Sequence, residues 1–199
     1  MVKKFSQLYL EARRAFMEIE DQQTASLLAR NLLCYVSGKT QEEIINDREK
    51  YACETICEAM EDAVRRILAQ EPLAYVLGEW NFYGMNLYVD HSVLIPRDDT
   101  CAVTALAIKK GLFLDQDPRI MDLCTGSGCI GLAIANRVKD ARVTLADVSK
   151  DALVIAKKNI ARHKLSARVS CVQADALKPA PAFLGKFDMI VSNPPYITT

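Results

Sequence analysis

The sequence predicts an α/β protein in which a small N-terminal helical bundle precedes a parallel, doubly wound sheet. Three observations carry that prediction. Apolar residues over 1–70 recur at helical spacing, strand-like and helix-like segments alternate from about Asp99 onward, and the first strand of that alternation runs into a glycine-rich turn. Helical periodicity followed by strand–helix alternation is the pattern of a helical domain joined to a β-α-β sheet.

Phe5, Leu8, Leu10, Ala12, Phe16 and Ile19 form one helical stripe, and Leu27, Leu28, Leu32, Leu33 and Val36 form a second. Such stripes are expected to be core. Thr40-Gln41-Glu42-Glu43 reads as a capping box, in which hydroxyl and carboxylate each satisfy a free N–H at a helix start. A further helix is predicted over 52–69, stopped before Pro72. Residues 71–97 are expected to form a linker. Trp80, Phe82, Met85, Leu87 and Val89 surround Tyr83-Gly84 there and suggest a short hairpin. Over 98–199, strands are predicted near 119–123, 142–146, 168–172 and 187–191, with helices near 129–137 and 149–163.

Composition excludes several classes. Lys+Arg and Asp+Glu both number 25, and residues 1–70 hold ten Lys/Arg against twelve Asp/Glu. No basic field is present to grip a phosphate backbone, so a nucleic-acid partner is not expected. No apolar run approaches the roughly 18 residues of a membrane span, and the amphipathic start is unlike a signal core. Seven cysteines without a pairing framework fit reduced thiols and a cytoplasmic location. Cys53 and Cys57 share a predicted helix, but His91 and His163 stand apart, so no metal site is expected.

The strand over 119–123 ends in Asp122-Leu123-Cys124-Thr125-Gly126-Ser127-Gly128-Cys129-Ile130-Gly131, and Asp147 follows Gly128 by nineteen residues at the end of the next strand. The glycines let the backbone turn and approach a ligand, and the carboxylate accepts from ribose hydroxyls. These residues imply a nucleoside-bearing cofactor without choosing one. Two observations favour S-adenosylmethionine over a nicotinamide dinucleotide. Asp122 places a carboxylate where a pyrophosphate would be repelled and a cation held. In a sheet ordered 3-2-1-4, the carboxyl ends of the first and fourth strands are neighbours, where ligands bind. Asp175, after the third strand, is placed to take the adenine amino group, with a plain loop aspartate as the competing reading.

The fourth strand ends in Asn193-Pro194-Pro195-Tyr196. Prolines fix φ and lack an N–H, so the local carbonyls have no competing donor. The Asn193 side-chain oxygen, the Pro194 carbonyl and the flat face of Tyr196 form a cradle for a planar amino or amide group. The alternative of a plain Asn-Pro turn closing the strand loses weight beside the glycine loop.

With these residues assembled, the chain resembles the HemK/PrmC family, the glutamine N5-methyltransferases of peptide chain release factors. The markers are Pro72-Leu73-Ala74-Tyr75-Val76-Leu77-Gly78, Phe82-Tyr83-Gly84, Val93-Leu94-Ile95-Pro96-Arg97, the run from Asp122 to Gly128, and Asn193-Pro194-Pro195-Tyr196. The resemblance implies a Rossmann-like, class I S-adenosylmethionine-dependent methyltransferase domain. Of that domain 98–199 would hold only the first four strands, the chain being a C-terminally truncated form. It implies that Asp122, Thr125, Gly126, Gly128, Asp147, Asp175 and Asn193 hold the cofactor, with S-adenosylhomocysteine as product. Asn193, Pro194, Pro195 and Tyr196 would hold the glutamine of a Gly-Gly-Gln loop in bacterial class I release factors, which residues 1–70 would dock. Asn193, Pro194 and Tyr196 are the expected catalytic set. Where the family continues Arg-Pro-(Glu/Asp)-Thr-Glu, this chain reads Arg97-Asp98-Asp99-Thr100-Cys101. Two rivals remain at this point: an amino-methyltransferase acting on adenine or guanine of nucleic acid, and an inactive cofactor-binding fragment.

Overall fold

The computed structural model describes residues 2–195, which fall into two units divided between Leu77 and Gly78. The first unit holds α1 (Phe5–Phe16), α2 (Gln22–Ser37), α3 (Gln41–Asn46), α4 (Glu54–Leu68) and α5 (Leu73–Leu77). Its core is built from three faces at i, i+3/i+4 spacing: Phe5, Leu8, Ala12 and Phe16 from α1; Ala25, Ala29, Leu32 and Leu33 from α2; Cys57, Met60, Ala63 and Ile67 from α4. Leu10 and Leu27, expected in those stripes, are 55% and 52% exposed, and Ile19 is exposed beyond the end of α1. Leu10 lies two residues past Leu8, about 200° around the helix, so it faces away from the core. Asp21 caps α2 by accepting from the N–H groups of Gln23 and Thr24 at 2.8 and 3.1 Å. The capping box starts α3 as expected, with Glu43 N–H donating to Thr40 Oγ1 at 3.2 Å and Thr40 N–H donating to Glu43 Oε2 at 2.8 Å.

The second unit begins with the hairpin β1 (Glu79–Phe82) and β2 (Met85–Tyr88), turned through Tyr83 and Gly84 at φ 51° and 79°. Two consecutive positive φ values match the twist of a tight two-residue hairpin. There follow α6 (Asp98–Gly111), β3 (Arg119–Leu123), α7 (Cys129–Arg137), β4 (Arg142–Asp147), α8 (Lys150–Arg162), β5 (Val169–Gln173) and β6 (Met189–Ser192). The last strand begins two residues later than the sequence suggests. Asp188 instead forms a clasp with Arg119, accepting at Oδ2 from Arg119 N–H at 2.7 Å and donating its own N–H to the Arg119 carbonyl at 2.8 Å.

The four strands β3–β6 pair in parallel in the order β5-β4-β3-β6, the expected 3-2-1-4. On one face Ile120, Val143, Leu145 and Val191 pack with Leu132 and Ile134 of α7 and with Ala156 and Ile160 of α8. On the other face Met121 and Ala146 meet Leu184 and Phe187 of the β5–β6 connection, which carries a 3-10 turn at Ala182–Leu184. No helix among the described residues is long and apolar enough to cross a membrane.

One buried side chain joins the hairpin to the sheet. Asn159 of α8 is 0% exposed; its Oδ1 accepts from Tyr88 N–H at 2.6 Å, and its Nδ2 donates to the carbonyls of Tyr88 and Ser127 at 3.0 and 2.9 Å. Arg162 lies over the Tyr88 ring, 4.4 Å from its centroid, and pairs with Glu79 at 2.6 Å. Within the 71–97 stretch, α5 therefore belongs to the helical unit and the hairpin to the sheet unit.

Gly131 lets α7 lie close on the sheet. A Cβ there would sit inside the contact radius of Leu145 Cδ2 and 3.0 Å from Asp122 Cβ. Gly131→Ala is expected to destabilise the sheet unit by about 1–3 kcal/mol through overpacking. Urea unfolding followed by far-UV circular dichroism checks this; an unchanged midpoint would show that the helix–sheet gap relaxes freely.

Candidate active site

β3 ends at Leu123, and the chain turns away through Cys124, Gly126 and Gly128 at φ 60°, 55° and 86°. At Gly128 a side chain would meet both the wrong backbone angle and the δ-methyls of Leu132 and Leu145 at 3.0 Å, so glycine is required twice over. The loop is tied to β4 at two points. Thr125 N–H donates to the Ala146 carbonyl at 3.0 Å, and Gly126 N–H donates to Asp147 Oδ2 at 2.9 Å. Asp147 Oδ1 accepts from Ser149 N–H at 3.0 Å, which fixes the carboxylate at the mouth of the β4–α8 turn.

Asp122 lies under this loop. It is 1% exposed, and its Oδ2 accepts from Thr125 Oγ1 at 2.6 Å and from Gly131 N–H at 2.8 Å. Oδ1 is buried without a hydrogen-bond partner. The expected role against a cofactor cation therefore shifts to that of a brace, because the bonds made by Oδ2 hold the loop down onto α7. Thr125 is buried too, its hydroxyl committed to Asp122. Asp175 stands just past β5, as the sequence places it. It closes its own turn, accepting from Leu177 N–H at 3.0 Å and pairing with Lys178 at 3.3 Å. Those bonds, the backbone one foremost, hold its carboxyl below the ordinary value.

A crevice of about 650 Å³ opens between the ends of β3, β4 and β6. Gly126, Asp147, Asn193, Pro194 and Pro195 line it, so the glycine loop and the asparagine turn share one site. Register explains this. Leu123 pairs with Ser192, and Ser192 Oγ donates to the Leu123 carbonyl at 2.6 Å, so Asn193 leaves the sheet beside Cys124. Asn193 Nδ2 donates to Thr100 Oγ1 at 3.2 Å. Tyr196, expected in the cradle, lies outside the described residues.

The remaining walls were not selected by sequence reasoning. Ser92, Val93, Leu94, Arg97, Asp99, Thr100 and Val103 form one side of the crevice, and Val148, 60% exposed, forms part of the other. The signals for the first group were the Val93–Arg97 marker run and the Arg97–Cys101 run set beside the family's Arg-Pro-(Glu/Asp)-Thr-Glu. Nothing in periodicity brings residues 92–103 to the end of a sheet whose first strand starts at 119. The ionisable lining of Arg97, Asp99 and Asp147 carries net negative charge.

Burial pushes the Asp122 carboxyl up from 3.8 to about 6, against the opposing pull of its bonds to Thr125 and Gly131 N–H and with a small push from Asp147. Below pH 4 folded and unfolded chains both hold this proton, and the group is neutral to stability. Between pH 4 and 6 the unfolded chain releases the proton first, so stability falls as pH rises; above 6 the cost is complete, of order 3 kcal/mol. In Asp122→Asn the amide oxygen keeps both bonds and no charge is buried. Urea titrations from pH 4 to 7.5 are expected to show the native chain losing stability relative to Asp122→Asn across this window. Parallel curves would mean that the carboxylate is solvated.

Two family models match the chain. The PrmC N-terminal domain matches residues 7–78, and the methyltransferase small domain matches residues 103–199. A release factor glutamine methyltransferase from Chlorobaculum tepidum is 43% identical over 177 residues, covering 86% of this chain and 60% of that protein. Its counterpart in Clostridium acetobutylicum is 36% identical, covering 83% of this chain and 58% of that protein. A ribosomal protein uL3 glutamine methyltransferase from Francisella tularensis is 40% identical over 134 residues, covering 67% of this chain and 42% of that protein. The chain thus spans 60% or less of the length of these relatives. Matched in its helical unit by one model and in its sheet unit by the other, the chain belongs to the HemK/PrmC family of methyltransferases.

Proposed function

We propose that this chain carries the cofactor and substrate sites of a protein-(glutamine-N5) methyltransferase. It would transfer a methyl group from S-adenosylmethionine to the Gly-Gly-Gln glutamine of bacterial class I release factors, in translation termination. The observation that carries the reading is the shared crevice, in which Gly126 and Asp147 stand on one side and Asn193 and Pro194 on another.

The lining suits S-adenosylmethionine. Asp147 keeps lone pairs free for ribose hydroxyls after accepting from Gly126 and Ser149. Val148 offers an exposed apolar surface for a base, and the negative lining favours a sulfonium and an ammonium over a pyrophosphate. When bound, the cofactor supplies the electrophilic methyl group. The protein supplies position and polarisation. An amide nitrogen is a poor nucleophile because its lone pair is delocalised into the carbonyl. Asn193 Oδ1 and the Pro194 carbonyl accept its two N–H groups, which fixes the nitrogen and favours the lone pair's localisation. Tyr196 would stack on the amide plane. Positioning of this kind removes up to about 7–11 kcal/mol of barrier in ideal cases. The product's extra proton leaves to water after transfer.

The named relatives act on glutamine in release factors or in ribosomal protein uL3. The release factor is favoured because relatives of that name match across 83–86% of this chain, against 67% for the uL3 enzyme. The helical unit is proposed as the release-factor dock, and the place of work as the cytoplasm, where translation occurs and free thiols persist. A nucleic-acid substrate is disfavoured by the balanced charge.

Asn193→Ala is expected to lower methylation of a purified release factor by about 10²-fold or more. Cofactor affinity by calorimetry should stay within about threefold of the parent, since an orienting group acts mainly on turnover. Equal loss of cofactor binding and turnover would contradict this division of labour. Methylation by a full-length gene product but not by the 199-residue chain would identify the chain as an inactive cofactor-binding fragment.

A further inference from the structure

A side-chain amide has two ends that a substrate amide reads oppositely: the oxygen accepts and the NH₂ donates. Turned over about its last bond, Asn193 keeps its shape and presents a donor where the cradle needs an acceptor. An asparagine at the mouth of an open crevice therefore needs a partner for its NH₂ end if its oxygen is to face the substrate.

That partner is Thr100. Its Oγ1 accepts from Asn193 Nδ2 at 3.2 Å. Thr100 is 6% exposed and sits in the first turn of α6, with its N–H donating to the Arg97 carbonyl at 3.0 Å and its carbonyl accepting from Thr104 Oγ1 at 2.8 Å. Its hydroxyl is thus carried on backbone fixed from both sides. Thr104 is itself fully buried, so the supporting bond is shielded from water.

We infer that Thr100 is a positioning residue for the transfer step, holding the NH₂ end of Asn193 so that its oxygen faces the crevice. The inference rests on the reading of Asn193 as acceptor of the substrate's N–H. A hydroxyl both donates and accepts, so the selection is made jointly. When the substrate's donors engage Oδ1, Thr100 takes the N–H at the other end. Draining that N–H also polarises the amide and makes Oδ1 a stronger acceptor. The bond joins two protein side chains, Asn193 and Thr100, and its effect is expected to fall on turnover.

The test uses Thr100→Val, which keeps shape and removes the hydroxyl, and Thr100→Ser, which restores it. With a purified class I release factor, Thr100→Val is expected to lower kcat about tenfold, the scale of one lost hydrogen bond, with cofactor affinity unchanged and Thr100→Ser near the parent. In ¹⁵N-labelled protein the two Asn193 side-chain N–H protons, assigned by their absence in Asn193→Ala, should differ in solvent exchange. In Thr100→Val they should converge. If Thr100→Val leaves both kcat and the Asn193 exchange rates at parental values, the inference is overturned. If the parent protein methylates no glutamine yet the exchange rates still depend on Thr100, the positioning bond stands and the glutamine reading fails. A loss of turnover in Thr100→Val that Thr100→Ser does not repair also overturns the inference, because it assigns the effect to packing.

Discussion

The parallel pairing of β3 with β6 sets the geometry on which the rest of the sheet unit depends, because it aligns two chain exits that are about seventy residues apart in sequence. Asp122 stands opposite Val191 and Leu123 opposite Ser192. A one-residue slip would turn every side chain of β6 to the other face, burying Ile190 in place of Val191. The present register buries Val191 and leaves Ile190 exposed. It is reinforced at both ends of the pair, by the clasp of Asp188 on Arg119 and by the bond from Ser192 to Leu123. Carboxyl ends that meet at a switch of strand order leave a crevice, and here one lip is the glycine loop and the other the asparagine turn.

Stability and function pull against each other beneath that crevice. Asp122 holds the loop through Thr125 and Gly131, yet its second oxygen is buried without a partner. Burying a carboxylate in this way is costly, and the raised proton affinity of the group is the same cost expressed as chemistry. Asn159 is the counterexample, a fully buried polar side chain whose oxygen and NH₂ group are both satisfied. It ties Tyr88, and with it the start of the 89–97 segment, to Ser127 of the glycine loop. The start of the wall that carries Leu94 and Arg97 and the glycine loop are thereby tied to one helix.

Much of this was legible in the sequence because local chemistry dictated it. The glycine spacing, Asp147 and the proline-locked turn each announce a backbone geometry, and the alternation of strands and helices announces a parallel sheet, whose 3-2-1-4 order was taken from doubly wound folds in general. What was not legible depended on three-dimensional neighbours. Asp122 looked like a ligand because its position in the chain does not reveal which way its carboxylate faces. That Asp175 also closes its own turn was not legible, because its bonds to Leu177 and Lys178 exist only once the chain is folded. Leu10 and Leu27 were counted as core from an approximate helical spacing where the exact angle around the helix decides otherwise. Thr100 carried only its match to the threonine of the family's Arg-Pro-(Glu/Asp)-Thr-Glu run, and its partner ninety-three residues away shows only in the fold.

The central claim is that cofactor and amide cradle occupy one crevice. The most direct measurement is a titration of ¹⁵N-labelled protein with S-adenosylhomocysteine, followed through backbone and asparagine side-chain resonances. The expected result is a single saturable transition in which Gly126, Val148 and the Asn193 side chain shift together. Shifts at Gly126 and Val148 with an unmoved Asn193 and an unmoved 92–100 segment would contradict the claim, because the two motifs would then belong to separate sites.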